Sequence, residues 1–368
     1  MVRKKILLSA RDPGAAHQIS IIGKMLASDK RYNIFAITSD ATLEIFKNNG
    51  LPVKCVNILS TAKRSGTEVD ILMQEATSII NDFSPDAILV GLSGPDSGID
   101  EALVKCAGSC PTYAFQDYWG DVNYGFGSLP GTYLVIDEEA KRLTLKKVNA
   151  RVFVVGRPYK FDFVDNENDG TSAINSENNV LMFAGQPLWH LDGYGRTLIK
   201  FATAISESQT FNSFIYRPHP KEADYEYNKI LELCRNLNID VSIDKNGLLD
   251  RAILASGAIV SCYSSCGYDV CYANINSNKP LAGVVYLMFD DQIISYYEKH
   301  THLTELPHSQ SGVFMTVENS LEIAKTIEIA SETQWREKAW SNAVNVFDDN
   351  DNATKYVCDL MYSEFELD

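Results

Sequence analysis

Short apolar runs alternate with amphipathic stretches from the first residues onward. "KKILLSA" is followed by a turn and by "QISIIGKMLASD", whose apolar positions recur at helical spacing. The pattern repeats as "YNIFAITS" with "DATLEIFKNNG", and as "DAILVGLSG" with "GIDEALVKCAGS", then continues through "PTYAFQD", "TYLVIDEEAKRLTL" and "RVFVVGRP". Strands without polar alternation are buried on both faces, and helical segments between them imply βαβ crossovers, so the pattern predicts a parallel α/β sheet covered on both sides. Gly50 follows "FKNN" as a glycine follows a helix end.

The alternation stops at "DNENDGTSAINSE", which is polar and acidic with no apolar period, and reads as a linker. It restarts with "NVLMFAG", "GRTLIKFATAISES", "FNSFIYRPHP", "DYEYNKILELCRNLN", "IDVSID", "GLLDRAILAS", "GAIVSCYSS" and "PLAGVVYL". The expected division is a first domain over 1–160, a linker over 161–178, a second domain over 179–335 and C-terminal helices over 336–368, with Trp335, Trp340 and Phe347 as packing residues. The predicted fold class is α/β, with two Rossmann-like doubly wound parallel-sheet domains facing across a cleft at the carboxyl ends of their strands. No internal repeat or low-complexity tract interrupts it.

A length of 368 residues suits two domains of roughly 150 to 200 residues. The apolar runs are far shorter than the ~20 residues of a membrane helix, and "KILLSA" is too brief for a signal-peptide core. With 33 Lys and Arg against 48 Asp and Glu, the net charge of −15 argues against a nucleic-acid partner and against bulk attraction to anionic membrane, while leaving room for a local basic patch and peripheral contact with a lipid-linked acceptor. Eight cysteines without a disulfide spacing point to reduced thiols and a cytoplasmic protein. Cys262, Cys266 and Cys271 match no metal-binding spacing and read as small buried residues.

Chemistry is expected in the loops after strands. In "SARDPGAAHQIS", Pro13 and Gly14 make a turn, and a helix starting near His17 would offer its amides to an anion. Asp12 is a candidate base, or a residue that only caps the turn, and His17 is a candidate base or donor. In "GLSGPDSGIDEAL", the turn with Ser93, Gly94, Asp96 and Ser97 either lines a ligand site or simply caps the following helix through Ser97. "FQDYWGDVNYGF" crowds Asp117, Trp119, Asp121, Asn123 and Tyr124, which suits either a sugar, stacked on a ring and held by carboxylates, or a domain interface. In "YRPHPKE", prolines on both sides fix His219, and Arg217 and Lys221 add positive charge, a combination that suits a phosphate. "VSCYSSCG" opens a helix on Ser264, Ser265 and Gly267, either as an anion cradle or as an ordinary serine cap.

"RPHPKE", then "SSCG" and "NKPLAG", resemble the donor half of GT-B glycosyltransferases, in particular bacterial capsule-type sialyl-, Kdo- and polyol-phosphate transferases. "RVFVVGRPYKFD" is similar to the segment that ends the acceptor half. The resemblance implies a GT-B fold in which His219 touches the leaving nucleotide phosphate and Ser264 and Ser265 help to hold it. An acidic residue of the first half, Asp12 or Asp117, would then act as base. Gly14, Gln186, Arg217, Lys221 and Gly267 join the phosphate-binding set. The ribose-binding carboxylate of such proteins has no match beyond Asp269, and no D-x-D motif or glycine-rich first loop is present, so neither a metal nor a dinucleotide cofactor is expected. The expected activity is transfer of a sugar from a CMP-, CDP- or UDP-linked donor to a glycan or glycolipid hydroxyl. A hydrolysing nucleotide-sugar 2-epimerase and a non-catalytic nucleotide-sugar or protein binder share the same architecture.

Overall fold

The computed structural model describes residues 3–56, 66–92, 97–159, 180–208, 210–245, 249–277, 279–347 and 352–366. The chain forms two compact units, Met1–Tyr159 with Asp349–Asp368, and Lys160–Asp348. The expected linker, like Ser93, Gly94 and Asp96, lies outside the described residues.

In the first unit the strands are β1 (Lys4–Ala10), β2 (Tyr32–Thr38), β3 (Val53–Cys55), β4 (Ala87–Leu92), β5 (Thr112–Gln116), β6 (Thr132–Val135) and β7 (Arg151–Val154). Its helices are α1 (Pro13–Ser28), α2 (Leu43–Asn48), α3 (Thr67–Phe83), α4 (Ile99–Cys106) and α5 (Glu138–Leu145). The strands pair in parallel in the order β3-β2-β1-β4-β5-β6-β7. Every residue of β4 is buried, as a central strand covered on both faces must be. A Cβ on Gly91 would lie 2.4 Å from the Cβ of Ala15, so small residues let α1 press against β4.

In the second unit the strands are β8 (Leu181–Ala184), β9 (Ser213–Arg217), β10 (Asp240–Ile243), β11 (Ala258–Ser261), β12 (Gly283–Leu287) and β13 (Met315–Val317). Between and after them run α6 (Asp192–Glu207), α7 (Asp224–Asn236), α8 (Leu249–Ala255), α9 (Ser265–Ile275), α10 (Asp291–Thr301), α11 (Ile323–Ser331) and α12 (Thr333–Val346). This sheet is parallel in the order β10-β9-β8-β11-β12-β13. Phe183, Phe201, Phe214 and Tyr216 fill one side of it with ring centroids 4.8–5.8 Å apart.

The sheets and crossovers follow the apolar pattern, and Gly50 ends α2 with φ of 71°. Four corrections concern local detail. "TYLVIDEEAKRLTL" is β6 followed by α5, divided at Asp137, whose carboxylate accepts the Ala140 amide as the helix cap. The edge strands β3 and β13, and helices α3, α10 and α11, lie where the pattern had assigned nothing; α3 buries only Leu72, Ala76 and Ile79, a narrow stripe in a polar segment. Helix α1 begins at Pro13, four residues before His17, because proline is well suited to the first helical turn. The C-terminal helices do not stay together: α12 belongs to the second unit, whereas the last helix, α13 (Ala353–Glu366), packs on α1 of the first. There Glu364 accepts the Tyr113 hydroxyl and pairs with Arg151. Trp340 donates to the Asn274 carbonyl at 2.9 Å and Phe347 packs on Tyr272, as packing residues should. Among the described residues no helix is long and apolar enough to cross a membrane.

Candidate functional site

In each unit the strand order reverses beside the first strand, between β1 and β4 and between β8 and β11. Loops leaving the carboxyl ends of such a pair diverge and leave a crevice, the usual binding position of open α/β sheets.

At the first switch point the chain places charges deep inside. Arg11, directly after β1, is 2% exposed, and Asp100 and Glu101, at the start of α4, are 0% and 3% exposed. Asp100 accepts the Ser9 hydroxyl with Oδ1 and the Arg11 amide with Oδ2 at 3.1 Å. Glu101 Oε1 accepts Arg11 Nη2 at 3.4 Å and Asn123 Nδ2 at 2.6 Å, and its Oε2 accepts the Gly98 amide at 2.6 Å. One guanidinium and two carboxylates therefore lock together the loops after β1, β4 and β5. Burial, and then the neighbouring Glu101, push Asp100 up to about 7, and burial also raises Glu101. The charge of Glu101 adds to burial in disfavouring ionisation of Asp100, and Arg11 works against both effects.

Asp12 stands at the edge of this cluster, its side chain 15% exposed and 3.8 Å from Arg11 Nη1. Its carboxylate makes no cap bond to α1, so the turn-capping role weighed from sequence does not describe it. Asp117 lies over the first turn of α1, where a Cβ on Gly14 would meet its Oδ2 at 2.3 Å. The positive end of the helix dipole thus faces one of the chain's own carboxylates. His17 sits one turn into α1 with its ring 4.7 Å from that of Tyr159. Ser97 does not cap α4: the N-cap residue is Gly98, and Ser97 is buried. Of the aromatics weighed for a sugar or a domain interface, Trp119 offers no open face, since its ring is 2% exposed and its Nε1 donates to Asp137 at 2.9 Å, bracing the cap of α5. Tyr124, half exposed, donates to the Lys147 carbonyl at 2.8 Å.

At the second switch point Gln186, just after β8, is 6% exposed, and its Oε1 accepts the Tyr263 amide after β11 at 3.0 Å. The Ser264 hydroxyl accepts the Cys266 amide at 3.2 Å and caps α9, which leaves its own proton to donate; both of the roles weighed from sequence are compatible with that geometry. Ser265 is exposed in the first turn, and Gly267 is closed against Tyr286, whose hydroxyl would lie 2.4 Å from a Cβ there. At the end of β9, Arg217 is held by Asp244 at 2.5 Å. His219 is partly exposed, and its Nδ1 accepts the Lys221 amide at 3.1 Å, so a neutral ring carries its proton on Nε2. Lys221 is exposed beside it. Cys262 and Cys271 are buried with thiols raised by burial, which makes them packing groups, and all eight cysteines are free. Among the described residues no group of three His, Cys, Asp or Glu side chains converges as a metal site would require.

The structure thus gathers Gln186, Ser264 and the Tyr263 amide at one switch point, and Arg11, Asp12, Asp117 and Gly14 around the other. Sequence reasoning missed Arg11, Asp100 and Glu101 in the first unit, and Tyr194, Tyr216, Glu222 and Asp244 in the second. A signal existed for the first group: "DE" between Ile99 and Ala102 in an otherwise apolar helix implies a buried counter-charge.

These two sheets, with their shared strand order and switch points, define the GT-B fold. No protein-family model and no curated protein matches the sequence. Solved structures match over their whole length. MnaA of S. aureus, solved with UDP, superposes with a TM-score of 0.70 at 14% identity, covering 99% of this chain and 98% of that one. The UDP-GlcNAc 2-epimerase of Neisseria meningitidis, bound to UDP-GlcNAc, gives 0.68 at 13% identity, covering 98% and 100%. MurG of Acinetobacter baumannii gives 0.58 at 10% identity, covering 98% and 99%. At such identities the likeness defines the fold.

Proposed function

We propose that this protein is an enzyme acting on a nucleotide-activated sugar, and that it transfers the sugar from a CMP-, CDP- or UDP-linked donor to a glycan or glycolipid hydroxyl. The observation that carries the reading is a pair of side-chain donors in the second unit, on the loops after β9 and β11, the two strands that flank β8. His219 Nε2–H and the Ser264 hydroxyl are donors of the kind that an oxyanion of a leaving phosphate needs, the positive end of α9 adds its dipole, and Lys221 adds charge beside His219. As the sugar–phosphate bond breaks, negative charge grows on the phosphate oxygens, and donors already oriented there stabilise the transition state more than the ground state. In this proposal these groups stabilise the leaving phosphate without a metal, Gln186 and Gly267 shape the loops around it, and Arg217 acts through its pair with Asp244. Asp12 or Asp117 takes the proton from the acceptor hydroxyl, with His17 as a hydrogen-bonding neighbour.

A second reading, hydrolysing 2-epimerisation of the nucleotide sugar, is favoured by the higher TM-score to the UDP-GlcNAc 2-epimerase of Neisseria meningitidis (0.68) than to MurG (0.58). Incubation with donor alone separates them, because only the epimerase releases a free 2-epimer without acceptor. A thermal-shift panel of UMP, UDP, CMP, CDP and their sugars tests the shared premise. We expect one nucleotide family to stabilise the protein by about 2.7 kcal/mol at a hundredfold excess over its Kd. His219→Ala should retain the melting temperature and lose turnover by roughly a hundredfold or more. No shift with any nucleotide would leave a non-catalytic binding protein as the better description.

A further inference from the structure

Beneath the His219 turn runs a buried hydrogen-bond chain for which the reading above has no use. The Gln186 amide donates to the Tyr194 hydroxyl at 2.9 Å, and the Tyr194 and Tyr216 hydroxyls are 3.2 Å apart. The Tyr216 hydroxyl lies 3.1 and 3.2 Å from the two oxygens of Glu222, whose Oε2 accepts the His219 amide at 3.3 Å. Tyr194 and Tyr216 are wholly buried and Glu222 is 7% exposed. Glu222 satisfies this order by accepting from both sides, with the protons pointing from the Gln186 amide through both tyrosines to its side-chain oxygens. The chain ends on two backbone amides, which neither release nor accept a proton under ordinary conditions, so it is built to hold position and not to move protons.

Three bonds close the "HPKE" turn around the imidazole. Glu222 N donates to the His219 carbonyl at 2.8 Å, Lys221 N donates to His219 Nδ1 at 3.1 Å, and the Glu222 side chain takes the His219 amide. The remaining link passes under Gly185, where a Cβ would stand 2.7 Å from the Tyr216 hydroxyl and 3.0 Å from Glu222 Oε2. Glycine at that position lets the tyrosine reach below the loop after β8. The same Gly185 donates its amide to the Arg217 carbonyl at 2.8 Å, which brings the loops after β8 and β9 to a fixed spacing.

We propose that Glu222 is the positioning residue of this site: through Tyr216 and Tyr194 it joins the loop of Gln186 to the turn of His219 and holds the imidazole with Nδ1 accepting and Nε2–H presented. The role rests on the nucleotide-sugar reading for its purpose, because a donor fixed at Nε2 is of use to a phosphate oxygen. Its geometry is independent of that reading.

The test uses the full chain and two separate readouts. The first is ligand-free: 15N NMR of the imidazoles, with His219 assigned by its absence in His219→Gln. Wild type should show an Nε2–H tautomer for neutral His219. Glu222→Ala should shift it toward a mixture of tautomers, and Glu222→Gln, whose Oε1 can still accept the His219 amide, should restore the wild-type signal. Tyr216→Phe, a milder change, should move the same resonances and decides the matter if Glu222→Ala does not fold. A wild-type His219 signal in a folded Glu222→Ala or Tyr216→Phe protein overturns the proposal. The second readout is calorimetric titration with UDP and with CMP. For a nucleotide that wild type binds, Kd should rise on the order of tenfold in Glu222→Ala, the loss of about one well-placed hydrogen bond, and stay close to wild type in Glu222→Gln. An unchanged Kd in folded Glu222→Ala also overturns it. If wild type binds neither nucleotide, the reading of function fails on that arm, and the imidazole spectra alone decide the positioning role.

Discussion

Arg11 shows how one buried side chain can join several loops. Its guanidinium is the cation facing Asp100 and Glu101, within 3.7 and 3.4 Å, and all three are buried. Burial works to lower its pKa, yet Glu101 and Asp100 carry it above its ordinary value. Removing one partner of a buried charge cluster exposes the other to the full desolvation penalty, whereas exposed pairs such as Lys47 with Glu44 contribute a few tenths of a kcal/mol. Arg11→Ala should therefore destabilise the first unit by about 3 to 5 kcal/mol, read as a drop in denaturation midpoint. Arg11→Lys should recover only part of the loss, because a single ammonium cannot serve Asp100 and Glu101 in the same forked geometry. A loss below ~1 kcal/mol in the alanine variant would mean that the carboxylates simply take up protons and the cluster is not held by charge.

Among the elements, β12 depends on one glycine at its first residue. A Cβ at Gly283 would stand 1.9 Å from the Ala330 carbonyl oxygen near the end of α11, a backbone atom that no side-chain rotation can move. Gly14 differs, because the atom in the way is the end of the Asp117 side chain. We expect Gly283→Ala to force α11 off the sheet and destabilise the second unit by about 2 kcal/mol or more, while Gly14→Ala displaces a carboxylate at lower cost. Chemical denaturation of the two variants side by side provides the check. The helices make a similar point about legibility. The apolar pattern placed α1 and α6, whose buried faces are broad, but passed over α3 and α10, which bury two or three apolar residues each and are otherwise polar. The edge strands β3 and β13 are three residues long, too short to leave a period.

Across the whole molecule, the net charge of −15 coexists with buried acids that resist ionisation, Asp100, Glu101 and Glu222 among the described residues. Burial raises Glu222 from 4.5 to about 7, and burial with Glu101 raises Asp100 from 3.8 to about 7. Glu101 moves in the same direction. Between those values the folded chain binds more protons than the unfolded one, so stability is fully present below the unfolded pKa values and falls as pH rises through about 7. For Glu222 alone the change is roughly 3 kcal/mol at 1.36 kcal/mol per pKa unit. Asp29 and Asp224, lowered by their partners Arg31 and Lys245, act in the opposite sense, but both lie at the surface, where solvent screens them. Melting temperature should therefore decline from pH 5 to pH 8, and Glu222→Gln should flatten the part of that decline that belongs to the second unit. A wild-type melting temperature that rises over this range would contradict the assignment.

What the sequence determined by itself was the architecture. Apolar runs of four to seven residues separated by helical periods permit little but parallel sheets with crossover helices, because hydrophobic burial is a local pattern that survives without knowledge of neighbours. The same reasoning reached "YRPHPKE" and "VSCYSS", since a proline-fixed histidine and a serine-opened helix carry their geometry in the local chain. Tertiary structure alone decided the partners. Ser9 and Asp100, Glu101 and Asn123, Arg217 and Asp244, Gln186 and Tyr263 meet across 22 to 91 residues. It also turned Trp119 from a candidate sugar platform into a brace for α5, and Glu222 from a polar residue after a turn into the anchor of His219. Charges and hydrogen bonds act over a few ångströms in space, and separation along the chain does not encode that distance.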